Sequence, residues 1–112
     1  MKEEKEYKDI INKVFKVEVG DDFHKKYFQF LKEIKEYLKE NYEDYFICFI
    51  ILQDKNNKNI FYSVEVYNNL VDFNSAYTEL SEKIEKKYKE EFNGKLKRIQ
   101  VEDMSEIKKI YP

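Results

Sequence analysis

Apolar and polar positions repeat with two different periods along this chain, and the periods predict its helices and strands. Apolar residues recur every three or four positions over 22–41 and again from Asp72 to Phe92, which is typical of helices with one buried face. They alternate with polar residues over 15–19, 60–67 and 96–101, as in half-buried strands. The chain is therefore expected to combine two long helices with short strands.

The segment 44–53 breaks both patterns, because it runs from Tyr45 to Leu52 without a polar residue. We expect a strand that is apolar on both faces. The polar cluster from Asp54 to Asn59 then predicts a hairpin turn into 60–67. Asn93-Gly94 predicts the end of the second helix.

Shorter helical patterns at 2–13 and about 103–110 add a helix at each end. The central order βαββαβ is that of the ferredoxin-like sandwich, an α+β fold with two layers. If 2–19 formed one bent helix, the fold would be a three-stranded antiparallel sheet flanked by helices. The length of 112 residues indicates a single domain, 1–112. The order of the strands is left open.

The position of 44–53 raises a difficulty, since the second strand of a ferredoxin-like sheet lies at an edge. An apolar edge strand promotes aggregation unless another element covers it or pairs with it. A terminal helix could pack on its outer face, the strand could pair across a homodimer, or the strand order could differ. The sequence favours no single one of these solutions.

Composition narrows the function classes. The 21 basic and 23 acidic residues give a net charge of −2, which does not suggest a partner of strong negative charge. Aromatic residues make up 17% of the chain, so the core is expected to contain many large rings. Cys48 is the only cysteine, which excludes an internal disulfide bond and favours a reducing, cytoplasmic location. No apolar run is long enough for a membrane span.

Few residues suggest catalysis. His24 follows two acidic residues at the start of a helix, where it is more simply explained as an ordinary helix-start residue. Cys48 lies between Ile47 and Phe49, as an inert core thiol would. The paired acids fit helix caps better than metal ligands, and no glycine-rich phosphate loop is present. We therefore expect no catalytic residue, no metal site, no cofactor and no enzymatic activity.

The outer face of the sheet is the predicted binding surface. If Tyr62, Val64 and Val66 face the helices, the alternate residues of the same strand face outward. Their neighbours on the other strands would join them. The binding residues expected on this surface are Phe61, Tyr67, Glu65, Arg98 and Glu18.

A binding surface without catalytic groups predicts a non-catalytic protein that inhibits a protein partner by occupying its surface, of the immunity or anti-defence type. The bias towards Lys, Glu, Asn, Ile and Tyr fits an AT-rich bacterium, its phage or a mobile element. The alternative is nucleic-acid binding by the same face, with rings stacking on bases. A small enzyme or ligand-binding domain that uses scattered acids, tyrosines and His24 ranks third.

Overall fold

A computed structural model describes residues 9–105 of the chain, with side chains described up to Val101. A short 3₁₀ turn, Asp21–Phe23, leads into the first helix. The alternation of strands and helices matches the predicted order, so the ferredoxin-like, two-layer α+β fold is confirmed. The elements are β1 (Ile10–Val19), α1 (His24–Asn41), β2 (Phe46–Gln53), β3 (Ile60–Asn68), α2 (Phe73–Phe92) and β4 (Leu96–Ser105).

The four strands form one antiparallel sheet in the order β2-β3-β1-β4. The central strands are β1 and β3, and the apolar strand β2 lies at an edge, as that fold requires. Each helix connects a central strand to an edge strand, and both helices cover the same face of the sheet. We call this the covered face and the opposite one the open face.

Both helices bury one apolar stripe against the covered face. In α1 the stripe consists of Tyr27, Phe30, Leu31, Ile34 and Leu38, and in α2 it consists of Phe73, Leu80, Ile84, Tyr88 and Phe92. The ring of Phe30 joins the helices, with its centre 4.7 Å from that of Tyr88 and 5.3 Å from that of Phe92. Burying a side chain of this size contributes about 2 kcal/mol to stability.

The end of α2 has the predicted geometry. Asn93 and Gly94 have left-handed φ angles of 44° and 83°, a conformation that glycine and asparagine adopt most readily. The Lys95 amide donates a hydrogen bond of 2.8 Å to the Phe92 carbonyl, which closes the turn into β4. This tight turn starts β4 directly beside the last turns of α2.

Strand register determines which residues share a face. In β1, Phe15, Val17 and Val19 are buried, so these alternate residues mark the covered face. Val17 is paired with Phe61 on β3 and with Arg98 on β4. Residues paired across antiparallel strands point to the same side of the sheet. Phe61 and Arg98 therefore lie on the covered face.

Two expectations about the ends of the chain are corrected. Strand β1 begins at Ile10, so residues 10–13 belong to the sheet rather than to a helix, and the three-stranded alternative is wrong. Strand β4 continues to Ser105, which replaces the start of the last predicted helix. The remaining residues of both terminal helices lie outside the described part of the chain.

Candidate functional site

A pair of opposite charges lies on the covered face, beneath the helices. Glu65 is at the centre of β3 and Arg98 is on β4, with β1 between them. The Arg98 side chain crosses β1 and donates a hydrogen bond of 2.6 Å from Nη2 to Oε2 of Glu65. Their side chains are 9% and 4% exposed, so the ion pair is shielded from water. Removing one partner of such a buried pair strongly destabilises the fold, because the other charge is left buried alone.

Aromatic rings enclose the pair. The Arg98 guanidinium lies 3.5 Å from the ring centre of Phe15 and 4.8 Å from that of Tyr88. The Tyr67 hydroxyl donates a hydrogen bond of 2.8 Å to the other carboxylate oxygen of Glu65. Both oxygens of Glu65 thus accept hydrogen bonds, and the charge that crosses the sheet is fixed in place.

A second cation extends this network along β1. Lys13 is 6% exposed, is paired with Glu65 in the strand register, and holds its Nζ 4.5 Å from the ring centre of Tyr77. Such a contact stabilises a positive charge away from water by about 1 to 2 kcal/mol. Among the strand side chains described up to Val101, the covered face therefore carries the basic groups of Lys13 and Arg98 and the carboxylate of Glu65 among its rings.

The burial of this network shifts its proton equilibria. Burial raises the pKa values of Tyr27, Tyr67 and Tyr88, and the nearby carboxylate of Glu65 raises them further. For Arg98, burial acts to lower the pKa, but Glu65 together with Tyr88 and Tyr77 outweighs it, and the pKa lies above its usual value. The phenols consequently remain protonated and the guanidinium remains charged throughout the physiological range. The site offers hydrogen-bond donors and a fixed cation.

Two polar atoms of this region have no hydrogen-bond partner among the described residues. They are the Tyr27 hydroxyl and Nε of Arg98. Ser63 lies near the Tyr27 hydroxyl, without the geometry of a hydrogen bond. Leaving a buried polar atom without a hydrogen bond costs about 1 to 3 kcal/mol of stability.

A cavity opens beside Arg98, between the end of α2 and β4. Its volume is about 160 Å³, and its lining includes Tyr88 from α2 together with Leu96 and Arg98 from β4. Glu85, Lys89 and Gly94 complete the rim. Gln100, paired with Phe15 on the covered face, is nevertheless exposed, so α2 does not close over the middle of β4. The charge network thus borders a space that a small molecule can enter.

The structure corrects the predicted orientation of the binding residues. Phe61 and Tyr67, expected to face outward, are 2% and 0% exposed beneath the helices. Glu65 and Arg98 are buried with them on the covered face. Glu18 alone is on the open face, where it pairs with Lys16 at 3.8 Å. The structure brings Glu65, Arg98 and Tyr67 into one network but separates Glu18 from them.

The sequence analysis missed two parts of this site, the second cation Lys13 and the rings of Phe15, Tyr77 and Tyr88 around the charges. Only one signal pointed to them. The alternation in β1 marks Phe15, Val17 and Val19 as the buried side, and a residue two positions earlier on that side is Lys13. A lysine within an otherwise apolar strand face needs compensating groups nearby.

The residues set aside in the sequence analysis occupy ordinary positions. His24 Nε2 lies 3.1 Å from the Val19 carbonyl oxygen. The centre of its ring is 5.0 Å from that of Phe61, and the two rings are nearly perpendicular. Cys48 is half-buried on β2, a free thiol with no disulfide. Among the described side chains, no group of three His, Cys, Asp or Glu residues could hold a metal ion. No helix within 9–105 is long and apolar enough to cross a membrane.

Comparison with known proteins yields a fold relative among the solved structures. Neither a protein-family model nor a curated protein matches the chain. Among solved structures, it is similar to a protein of Deinococcus radiodurans that is provisionally described as an antibiotic biosynthesis monooxygenase. The TM-score is 0.57 at 16% identity, over 92% of this chain and 99% of that one. At this identity the likeness shows the fold.

This neighbour and the burial of the predicted surface overturn the first functional prediction. A non-catalytic inhibitor required Phe61, Tyr67 and Arg98 on an outer surface, but these residues lie beneath the helices. The neighbour is itself described as a monooxygenase, so the prediction of no enzymatic activity is corrected too. The inferred origin in a phage or mobile element is given up with it. The alternative, that nucleic-acid bases stack on Phe61 and Tyr67, is wrong as well, because both rings are buried.

Proposed function

We propose that the protein is a small ligand-binding domain that takes a single-ring organic molecule into the cavity between α2 and β4. The observation that carries this proposal is the buried Glu65–Arg98 pair, whose arginine lines the cavity beside Tyr88 and Leu96. Concave sites with a few fixed polar groups and shifted pKa values are the usual form of ligand sites.

The size of the cavity supports a ligand with one ring. Its volume of about 160 Å³ is close to that of engineered protein cavities of about 150 Å³ that bind benzene. The ring of Tyr88 and the side chain of Leu96 would contact an aromatic ring. Arg98 and the neighbouring Lys89 would attract an oxygen substituent, such as a phenol or carboxylate. Within this proposal the buried phenols act as donors that orient oxygen atoms.

The similarity to the Deinococcus radiodurans protein supports an oxygenase as the catalytic form of this proposal. The residues of this chain would bind and orient the ring and would exclude water around it. The cytoplasmic location predicted from the lone cysteine is kept as part of the same proposal, since free thiols persist in reducing compartments.

Binding of benzoate and phenol, followed by amide NMR shifts, tests the proposal. We expect shifts at residues 85–98, with millimolar affinity for such small probes. Leu96→Trp fills the cavity and should weaken binding at least tenfold, whereas Lys95→Trp, in the exposed turn, should not. Equal affinity in Leu96→Trp and in the wild type would contradict the proposed site.

Catalytic use has its own readout. Oxygen consumption is measured with catechol and the wild-type protein, then with both tryptophan variants. Uptake that Leu96→Trp abolishes and Lys95→Trp retains indicates an oxygenase at this cavity. Ligand binding without oxygen uptake indicates a domain that only binds.

A further inference from the structure

Strand β2 lies at an edge of the sheet, and one side of its backbone is unpaired. The Asp54 amide donates a hydrogen bond of 2.9 Å to the Ile60 carbonyl, so this amide points towards β3. Peptide groups alternate in direction along a strand, and β2 pairs with β3 alone. The amides and carbonyls of Phe49, Ile51 and Gln53 therefore point away from the sheet, where no described backbone group pairs with them.

The flank of α1 beside this edge is basic. It carries Lys32, Lys35 and Lys39 at helical spacing, and we call these three residues the lysine stripe. All three are exposed, and none of them forms an ion pair with a described side chain. On the flank that faces α2, by contrast, Lys26 lies 3.8 Å from Glu91. The lysine stripe therefore presents unpaired positive charge.

A groove of about 530 Å³ lies between the lysine stripe and the edge of β2. Its lining includes Lys35 and Lys39 from the helix and residues 46–49 from the strand. One carboxylate, that of Glu43, lines it as well. Phe49 is half-buried in this lining, so the groove has an apolar floor. Two unpaired cations, an apolar floor and a free strand edge thus meet in one place.

We propose that this groove and the edge of β2 bind an extended acidic segment of another protein, which joins the sheet as a fifth strand. The backbone of the segment pairs with the outward peptide groups of β2, as in other cases of strand addition. Its acidic side chains lie beneath the lysine stripe, and its apolar side chains alternate with them. The proposal is independent of the ligand site, which lies at the opposite edge of the sheet.

The spacing of the lysines suits a strand. Lys35 and Lys39 are four residues apart, which separates them by about 6 Å along the helix axis. Alternate side chains of an extended strand are separated by about 6.8 Å on one face. Successive acidic groups on that face can therefore each meet one lysine. An alternating sequence of acidic and apolar residues is the expected partner.

The charges favour this edge over the edge at β4. Beside β4, the cavity lining contains both Glu85 and Lys89 from α2, so the two signs of charge are mixed there. Arg98 on β4 is already paired with Glu65. Electrostatic complementarity steers an acidic partner to the lysine stripe and speeds its association. A fifth strand would also cover the apolar edge strand, which otherwise promotes aggregation.

The fluorescence anisotropy of a fluorescein-labelled heptapeptide of alternating glutamate and valine tests the proposal. We expect the full chain to bind it with half-saturation below about 1 mM, and to bind a peptide of alternating lysine and valine at least about tenfold more weakly. Lys35→Glu combined with Lys39→Glu should weaken binding of the acidic peptide at least about tenfold. The matched control, Lys86→Glu combined with Lys95→Glu, makes the same change in net charge at exposed positions and should have less than about a twofold effect.

N-methylation of the acidic peptide tests whether it is added as a strand. In an extended peptide, the amides of the glutamates point to one edge and the amides of the valines point to the other. Methylating the set that faces β2 blocks pairing, whereas methylating the outer set does not. One methylated isomer should therefore bind at least about tenfold more weakly than the other. Equal affinities of the two isomers would overturn the strand addition.

Amide hydrogen exchange distinguishes the other possible occupants of the edge. We expect the amides of Phe49 and Ile51 to exchange quickly in the free chain and at least about tenfold more slowly with the peptide bound. Slow exchange in the free chain would mean that the edge is already covered. A dependence on protein concentration would then identify a second copy, and its absence would identify another segment of this chain.

Either kind of prior cover would overturn the proposal. Failure of the full chain to bind the acidic peptide would overturn it as well. An equal loss of binding in the two double-lysine variants would show that net charge, rather than the lysine stripe, attracts the peptide.

Discussion

Each face of the sheet carries some side chains of a kind that usually lies on the other face. Beneath the helices, Glu65, Arg98 and Lys13 are buried among rings. On the opposite side, Ile50 and Ile99 are about half exposed to water. Burying a charge lowers stability, and leaving apolar area exposed gives up the stability that its burial would provide. A sheet that does both retains features that stability alone would not produce.

This difference suggests that each face serves a separate purpose. The covered face combines fixed charges, protonated phenols and an adjoining cavity, which suits a small ligand. The open face presents apolar side chains to water, which suits another protein surface. The sheet separates the two, so a ligand beneath the helices and another protein surface on the open face would not compete.

The largest effect is expected from breaking the buried charge pair. Arg98→Met leaves the Glu65 carboxylate buried without its cation, which should lower the free energy of unfolding by about 3 to 5 kcal/mol. Lys97→Met changes the adjacent residue on the open face and should cost less than about 0.5 kcal/mol. Urea unfolding measures both, and equal effects would show that the faces do not differ as described.

Two buried tyrosines on the covered side sharpen the comparison. Tyr67 and Tyr27 are both 0% exposed, but only Tyr67 donates to a carboxylate. Tyr67→Phe should cost about 1.5 to 3 kcal/mol, as for hydrogen bonds to charged groups. Tyr27→Phe removes a hydroxyl without a partner among the described residues and should be neutral or slightly stabilising. A larger loss in Tyr27→Phe would show that its hydroxyl has a partner after all.

The smallest effect is expected from alkaline pH. Tyr27, Tyr67 and Tyr88 have higher pKa values in the folded chain than in the unfolded chain. The unfolded chain therefore releases these protons first as the pH rises, and their contribution to stability is complete below about pH 10 and is lost above it. The loss is about 0.4 kcal/mol for each phenol at pH 10, when half of the unfolded phenols have ionised.

Urea unfolding between pH 9 and pH 11 measures this loss, and a variant without the Tyr88 phenol isolates one share of it. Tyr88→Phe should flatten the decline with pH by the share of one phenol, about 0.4 kcal/mol at pH 10. An unchanged slope would indicate that Tyr88 is not buried in its neutral form.

Much of the fold followed from the sequence because its signals are local. The helical stripes, the stop at Asn93 and the alternation in β1 each depend on a few neighbouring residues. The long β1 was underestimated because residues 10–13 also fit a helical period. Local patterns overlap at the ends of elements, where fewer residues define the period.

The candidate site was inverted because its decisive signal is not local. In β3, the side with Tyr62, Val64 and Val66 is more apolar than the side with Ser63 and Glu65. The rule that the more apolar side of a strand faces the core therefore predicts the wrong orientation for β3. The register with β1 and the ion pair with Arg98 reverse it, and both depend on residues more than 30 positions away. The same apolar preference misplaced Arg98 relative to Ile99 in β4.

The central claim is that the Glu65–Arg98 pair is buried beneath the helices, and a double-mutant cycle between these two residues tests it most directly. Urea unfolding is measured for Glu65→Leu, Arg98→Met, the double variant and the wild type. The two side chains meet at 2.6 Å in a buried pair. We therefore expect the double variant to lose less unfolding free energy than the sum of the two single losses, by at least about 2 kcal/mol. Additive losses would mean that the two side chains do not meet beneath the helices, and would contradict the account.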